Sequence, residues 1–329
     1  NDNNSAQVLY CWACHRVTST GFTSGRRAVE DARIPGAWDN GTVFYSSTTN
    51  LNSYTTVAAK GDSEICMNCH SSRPGRNGFF VRQYIDAQTG GVDNTYYGGP
   101  TPHYLIGDQT LFQDNTKGIG AYALPGRSYA NDPDFMHSSV GGSTSGPCVG
   151  CHMSTPNSTT DETIGKHSFL PVTKVDNTIT AITSTKCAEC HDGTTTAVIT
   201  VASLNASKTQ YLARLAAFRA ALQDNSVRLG IFPNTDGNRF YNSAAAAVTN
   251  SSSSTARIKN WQTRATAIAP AGGYAQLTGY DLFGICLNFN YLNYAVAEPG
   301  AWAHNSKYAN RLIFDAIQAL GSTPTFTRP

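Results

Sequence analysis

A five-residue pattern that occurs four times constrains this chain more than any other feature. In each copy two cysteines stand three positions apart, and a histidine directly follows the second cysteine. The copies occupy 11–15, 66–70, 148–152 and 187–191, and together they use eight of the nine cysteines. A disulfide framework does not require this spacing or the histidine.

The repeated pattern is the attachment signature of c-type haem. Two thiols held a short distance apart can bond to the two vinyl groups of one porphyrin, and the following imidazole then lies beneath the ring, where it can bind iron. One copy alone is also compatible with a zinc half-site or a redox dithiol. Neither of those sites needs the histidine, so four copies predict four covalently bound haem c groups. The predicted attachment residues are Cys11, Cys14, Cys66, Cys69, Cys148, Cys151, Cys187 and Cys190.

The number of histidines matches the number of motifs. Of eight histidines, the motifs contain His15, His70, His152 and His191, which are the predicted proximal ligands. One spare histidine remains for each iron: His103, His137, His167 and His304. The count predicts four six-coordinate, low-spin haems with two histidine ligands each. The alternative is that one or two of the spare histidines lie at the surface or in the core.

Methionine is the rival sixth ligand, and it would raise the reduction potential. Met67 and Met153 lie within or beside attachment motifs, where neither easily reaches the far face of its own haem. Met136 precedes His137 and could compete for the same iron. The sequence therefore favours low-potential haems.

Composition excludes several partners. Only 14% of the 329 residues are charged, and the formal net charge is +2 without a basic cluster, so a nucleic-acid partner is not expected. No apolar run approaches the roughly 18 residues of a membrane-spanning helix. The first residues also lack the basic and apolar regions of a signal peptide, and we expect the numbering to be that of a mature, soluble form.

The chain divides into two regions by sequence character. Residues 1–202 contain all four motifs, separated by segments rich in Gly, Ser, Thr and Asn. We expect a fold of mostly irregular coil with short helices, organised around four c-type haems that supply its apolar surface. Residues 203–329 form the second predicted domain, a mainly helical C-terminal region that donates one distal ligand, His304.

Several elements are predicted within this second region and just before it. Apolar periodicity and stop signals predict helices over 203–223, 256–269, 280–295 and 306–320, the last capped by Asn305 or Ser306. Residues 243–255 are expected to form a surface connection, although 244–247 could extend a helix. β-Branched residues predict short strands at 178–183 and 195–201. Cys286, the ninth cysteine, is expected to be a buried apolar residue.

Three features of the sequence resemble multihaem c-type cytochromes. They are the set of four motifs, the segment 148–153 followed by 166–169, and the segment 300–309. The chain is most similar to extracellular tetrahaem cytochromes that polymerise into filaments, although most of 203–299 departs from them. The resemblance implies that His304 and His167 are distal ligands and that the haems form a chain for electron transfer. It also implies self-association, with a histidine of one subunit binding a haem of the next, and redox proteins or extracellular acceptors as partners.

Two other function classes remain open. A monomeric periplasmic electron shuttle, or a subunit of a redox complex, would keep all ligands within one chain. An enzyme such as a nitrite-reducing cytochrome needs an open coordination site on iron, and the ligand count provides none, so no catalytic residue is predicted. Covalent haem attachment implies maturation outside the cytoplasm, which places the chain in the extracellular space or at the cell surface, with the periplasm as alternative.

Overall fold

A computed structural model describes the fold. The residues it describes are 15–18, 21–26, 63, 66, 70, 107–112, 121–129, 135–142, 145–154, 169–194, 196–224, 230–235, 237, 239–249, 256–258, 261–293 and 298–329. Among the predicted site residues, Cys11, Cys14, Cys69, His103 and His167 lie outside this set.

The motif-bearing region contains short elements. Two antiparallel hairpins are formed by β1 (His15–Thr18) with β2 (Gly21–Arg26), and by β3 (Val172–Val175) with β4 (Thr178–Ile182). The turn of the second hairpin places Asp176 and Asn177 at positive φ, a conformation that these two residue types tolerate. The helices are α1 (Gly107–Phe112), α2 (Gly146–His152) and α3 (Thr185–Cys190), with a 3₁₀ turn at His137–Ser139.

The C-terminal region is mainly helical where it is described. A small hairpin pairs β5 (Phe232–Pro233) with β6 (Phe240–Tyr241). The helices are α4 (Val201–Gln223), α5 (Ala244–Val248), α6 (Trp261–Thr266), α7 (Gly279–Tyr291), α8 (Ala301–His304) and α9 (Ser306–Ala319). No helix in these described segments is both long and apolar enough to cross a bilayer.

Side-chain caps explain where the longer helices begin. Thr200 and Ser203 form a reciprocal capping box at the start of α4, and Thr278 and Asp281 form another at the start of α7. Asn305 caps α9, because its side chain accepts a hydrogen bond from the backbone N–H of Tyr308 at 3.1 Å. The predicted helices at 203–223, 280–295 and 306–320 are confirmed with shifted ends.

Two predictions differ from the structure. The helix predicted over 256–269 is shorter, since α6 begins at Trp261 and ends at Thr266. The strand predicted at 195–201 is wrong, because residues 196–200 have no regular structure and α4 begins at Val201. β-Branched content favours a strand there, but the hydroxyl of Thr200 satisfies a free N–H of α4 instead.

The hydrophobic core lies around α4, α7 and α9. Residues 281–291 of α7 are buried on every face, and aromatic rings meet edge to face, as between Phe218 and Phe289 at 5.3 Å. Cys286 is fully buried, which confirms its prediction as an apolar residue, and burial raises the pKa of its thiol. The same core includes Leu124 and Ile179, so both sides of the predicted boundary at 202 contribute to it.

Two asparagines on helices hold segments of the motif-bearing region. Asn205 on α4 accepts from the N–H of Ile179 at 3.0 Å and donates to its carbonyl at 2.9 Å. Asn288 on α7 makes the same pair of hydrogen bonds with the backbone of Tyr122, at 2.7 and 2.8 Å. Each amide replaces the two backbone partners that irregular chain lacks.

Candidate haem site

The third and fourth attachment motifs lie on short helices. Cys148 and Cys151 are three residues apart on α2, and Cys187 and Cys190 have the same spacing on α3. Residues three apart lie on one face of a helix, so both thiols of each pair can approach one porphyrin edge. His152 ends α2, and the C-cap residue His191 follows α3.

None of the six described cysteines forms a disulfide. Burial, with smaller contributions from Cys187 and Cys190 nearby, raises the pKa of the Cys151 thiol to about 11. The pKa of Cys187 is also raised, mainly by burial. Both free thiols are therefore held in the protonated form.

A spare histidine faces each of the predicted proximal histidines of the third and fourth motifs. The ring centroids of His152 and His304 lie 6.1 Å apart, and those of His191 and His137 lie 6.2 Å apart. With a metal to nitrogen bond of about 2 Å, two imidazoles on opposite sides of one metal ion have centroids about 6 Å apart. Both pairs therefore leave the space that one iron requires.

The Nδ1 atom of each of these four rings has a hydrogen-bond acceptor. The pairs are His152 with the Phe169 carbonyl at 2.9 Å, His191 with the Ala197 carbonyl at 3.1 Å, His137 with the Ala303 carbonyl at 2.9 Å, and His304 with Oε1 of Glu298 at 2.8 Å. An acceptor at Nδ1 keeps the proton there and leaves the lone pair of Nε2 for a metal. The rings are thus prepared as iron ligands.

The pKa values of the rings separate His304 from the others. Burial is the largest influence on His137 and His152, and it lowers the pKa of both, which favours the neutral form that binds metal. Burial also acts to lower the pKa of His304, but the carboxylate of Glu298 outweighs it and raises the pKa. His304 is therefore the one ring of the four with an anionic partner.

Two glycines make room for the His304 ring. A Cβ atom on Gly300 would lie 2.5 Å from Cε1 of His304, and one on Gly107 would lie 2.8 Å from the same atom. Real Cβ atoms do not approach so closely. Helix α1 and the turn before α8 can therefore enclose the imidazole only because both positions lack a side chain.

Comparison with known proteins agrees with this geometry. The chain is 33% identical over 320 residues to C-type polyheme cytochrome OmcC of Geobacter sulfurreducens strain PCA, covering 94% of this chain and 36% of that protein. It is also 33% identical over 329 residues to C-type polyheme cytochrome OmcB of strain DL-1, covering 96% of this chain and 38% of that protein. The chain belongs to the polyheme c-type cytochromes. No protein-family model and no solved structure matches it.

The chain spans 36% to 38% of the length of the relatives it matches.

Buried hydroxyl groups join successive motifs of this cytochrome. Oγ of Ser63, just before the second motif, donates to the Ser145 carbonyl at 2.7 Å and accepts from the N–H of Val149 at 3.0 Å. Ser63 is fully buried, so this contact fixes the second motif against the start of α2.

Similar hydrogen bonds join the third and fourth motifs of the cytochrome. Ser154, which follows α2, shares a hydroxyl hydrogen bond of 2.6 Å with Ser184, the N-cap residue of α3. The hydroxyl of Thr185 donates to the Ser154 carbonyl at 2.9 Å. The end of one attachment helix is therefore tied directly to the start of the next.

The remaining predicted site residues of the cytochrome are less completely described. The backbone of His15 begins β1, and His70 is exposed and close enough to lower the pKa of His152. Met136, the rival ligand, is 62% exposed, whereas the ring of its neighbour His137 faces His191.

Sequence reasoning missed Glu298, the two glycines and the linking serines. These residues act through tertiary contacts. The only local signal was a carboxylate six positions before His304.

Proposed function

We propose that this chain transfers electrons through four covalently bound haem c groups, each held by two histidines. The proposal rests on two pairs of facing imidazoles. In each pair the ring centroids lie about as far apart as one iron between two rings requires. Bound haem supplies one-electron chemistry of iron. The membership of this chain in the polyheme cytochromes supports covalently bound haem, while the number of haems, four, rests on the count of motifs.

The two facing pairs lead to a ligand assignment. His152 and His304 would hold the haem attached at Cys148 and Cys151, and His191 and His137 the haem attached at Cys187 and Cys190. These ligands come from elements fixed by the core: α8 precedes the capped helix α9, and the 3₁₀ turn is bonded to α8 through Ala303. His103 and His167 are left for the first two motifs, whose proximal ligands are His15 and His70.

The proposed ligand set has a consequence for chemistry. Two imidazoles occupy both faces of the iron, which leaves no position for a substrate or for oxygen. The protein residues then only attach, orient and shield the group, and we assign no residue a catalytic role. Electron transfer rather than substrate conversion is the function that this arrangement favours.

Replacement of each assigned distal ligand tests the proposal. We expect His304→Ala and His137→Ala each to convert one of four haems from low spin to high spin, as measured by electron paramagnetic resonance and haem quantification. Lys307→Ala, an exposed change near His304, serves as the control and should leave all haems low spin. Four low-spin haems in both histidine variants, or stoichiometric carbon monoxide binding by the unmodified protein, would contradict the proposal.

Assembly into an extracellular filament is the finer proposal. Because His137 and His304 face rings of their own chain, a ligand supplied to a neighbouring subunit would have to be His103 or His167. We therefore expect His103→Ala or His167→Ala, but not Lys307→Ala, to abolish filaments seen by cryo-electron microscopy. Filaments that persist in both histidine variants would refute this form of assembly.

A second assembly remains, in which the chain is a monomeric periplasmic shuttle or part of a redox complex. The greater length of the relatives favours a place in a larger electron-transfer unit. Light scattering of the purified protein separates the cases, since a shuttle is monomeric and a filament subunit is not. In both cases the proposed location is outside the cytoplasm and the partners are redox proteins or extracellular electron acceptors.

A further inference from the structure

The His304 ring differs from the other three described candidate ligands in its hydrogen-bond acceptor. His137, His152 and His191 are paired at Nδ1 with neutral backbone carbonyls, whereas His304 is paired with the carboxylate of Glu298. The Glu298 side chain is only 1% exposed, while that of His304 is 28% exposed. A buried anion therefore lies directly behind one of the four imidazoles.

Glu298 is held in place at both of its ends. Its Oε1 accepts from the N–H of Gly300 at 3.0 Å as well as from His304. Its backbone N–H donates to the Asn293 carbonyl, and its own carbonyl accepts from Ala301, both at 3.3 Å. The carboxylate thus cannot turn away from the imidazole without breaking the turn between α7 and α8.

The second oxygen of this carboxylate has an unusual environment. Oε2 is buried and receives no hydrogen bond among the described residues. The other oxygen, Oε1, contacts Nδ1 of His304 at 2.8 Å. The negative charge is therefore directed mainly to one ring and is weakly screened by solvent.

We propose that Glu298 is a positioning residue that gives the haem of the Cys148–His152 motif a lower reduction potential than the haem of the Cys187–His191 motif. This inference rests on the proposed function, in which His304 is an iron ligand. A carboxylate at Nδ1 makes Nε2 a stronger electron donor, which stabilises ferric over ferrous iron. The buried negative charge acts in the same direction. The carbonyls behind His137 and His191 exert only the weaker effect of a dipole.

Glu298→Gln is the direct test, because it removes the charge and keeps the shape. We expect one haem of four to become easier to reduce in spectroelectrochemical titration. At a fixed applied potential its ratio of reduced to oxidised iron should rise about tenfold, which equals about 59 mV for one electron. The low-spin paramagnetic resonance signal of the same haem should change as well, and the haem count should stay at four.

A matched control separates contact from net charge. Asp176→Asn removes the same charge from the exposed turn between β3 and β4, outside all four motifs. Water and salt screen this charge, so we expect no resolved change in any midpoint potential. An equal change in both variants would overturn the role of the Glu298 contact.

The His304→Ala variant distinguishes failure of this inference from failure of the proposed function. If His304→Ala produces one high-spin haem but Glu298→Gln moves no potential, the ligand assignment stands and the inference is refuted. If His304→Ala leaves every haem low spin, the ligand assignment itself is refuted. Adding Glu298→Gln to His304→Ala should cause a smaller change at that haem than Glu298→Gln causes alone, because the contact through the ring is already lost.

The unmodified protein provides a measurement that does not depend on any variant folding. One of its four ferric low-spin signals should show the narrower spread of g values that follows from a ligand with imidazolate character. Four signals without such a member would overturn the inference even if Glu298→Gln could not be produced with its haems.

Discussion

At the scale of single residues, the site depends on the absence of side chains as much as on their presence. Gly300 and Gly107 border the His304 ring so closely that any Cβ would occupy its space. A Cβ at Gly300 would meet Cε1, Nδ1 and Nε2 at 2.5, 2.8 and 3.0 Å, and Nε2 is the atom that the proposed function assigns to iron. The two glycines therefore permit the ring position that the hydrogen bond to Glu298 holds.

Gly300→Ala should displace the imidazole of His304. We expect a high-spin fraction at one haem and a loss of stability of about 1–3 kcal/mol, the usual cost of overpacking. Gly107→Ala, with its nearest contact at 2.8 Å, should have a smaller effect in the same direction. Optical spectra and thermal unfolding measure both. A fully low-spin Gly300→Ala protein would show that the ring has room to move.

At the scale of elements, helices of the C-terminal region hold the irregular chain that carries the motifs. Asn288 satisfies an N–H and a carbonyl of Tyr122, and Asn205 does the same for Ile179. Asn288 is fully buried, whereas Asn205 is half-buried. The same hydrogen-bond pattern is therefore expected to have a different energetic value in the two places.

Asn288→Ala should lower the free energy of unfolding more than Asn205→Ala does. It leaves the N–H and carbonyl of Tyr122 without their partner at a fully buried position, and at about 1–3 kcal/mol for each such group the free energy of unfolding falls substantially. Asn205→Ala should cost less, because Asn205 is half-buried and water can take the place of its amide. Denaturant unfolding of the haem-loaded protein compares them. Equal losses would mean that burial does not govern the strength of these contacts.

The elements also show what the sequence can predict. The α4 helix was predictable because Tyr211, Leu215, Phe218 and Leu222 recur at helical spacing, and all four are buried in one core. The strand expected at 195–201 failed because capping by Thr200 outweighed β-branched content. The sequence predicts the proximal ligands from a local motif and the distal ligands from the number of histidines outside the motifs. The ring of His304 faces that of His152 across 152 positions of sequence, a distance that no local pattern spans.

At the scale of the whole molecule, three attachment motifs are connected in series by hydroxyl groups. Ser63 joins the second motif to α2, and Ser154 with Ser184 joins α2 to α3. Short hydrogen bonds between successive motifs fix their spacing, and electron transfer between metal centres depends on spacing. The 3₁₀ turn that carries His137, whose ring faces His191 of the fourth motif, is in turn bonded to the C-terminal region through Ala303.

Ser63→Ala should weaken the connection between the second and third motifs. The variant leaves the Ser145 carbonyl and the Val149 N–H without their partner, at a cost of about 1–3 kcal/mol. We expect a lower unfolding temperature and a weaker magnetic interaction between two haems, with all four haems retained. Ser203→Ala, in the exposed capping box of α4, is the control for loss of a hydroxyl. An unchanged magnetic interaction would assign Ser63 to stability alone.

Omission of haem should affect the two predicted regions unequally. The C-terminal helices supply most of the side chains of the protein core, whereas the chain around α2 and α3 is expected to depend on porphyrin for apolar surface. In protein expressed without haem attachment, hydrogen exchange should be slow in α4, α7 and α9 and fast in α2 and α3. Uniform protection would refute the dependence of the motif-bearing region on its cofactors.

The Ala303 carbonyl lies where two of the proposed distal ligands meet. It accepts the Nδ1 proton of His137, and the next residue along the backbone is His304. Rotation of this one peptide plane would disturb both proposed distal ligands in the same event. Backbone damage at this point should therefore slow electron transfer through two of the proposed haems together.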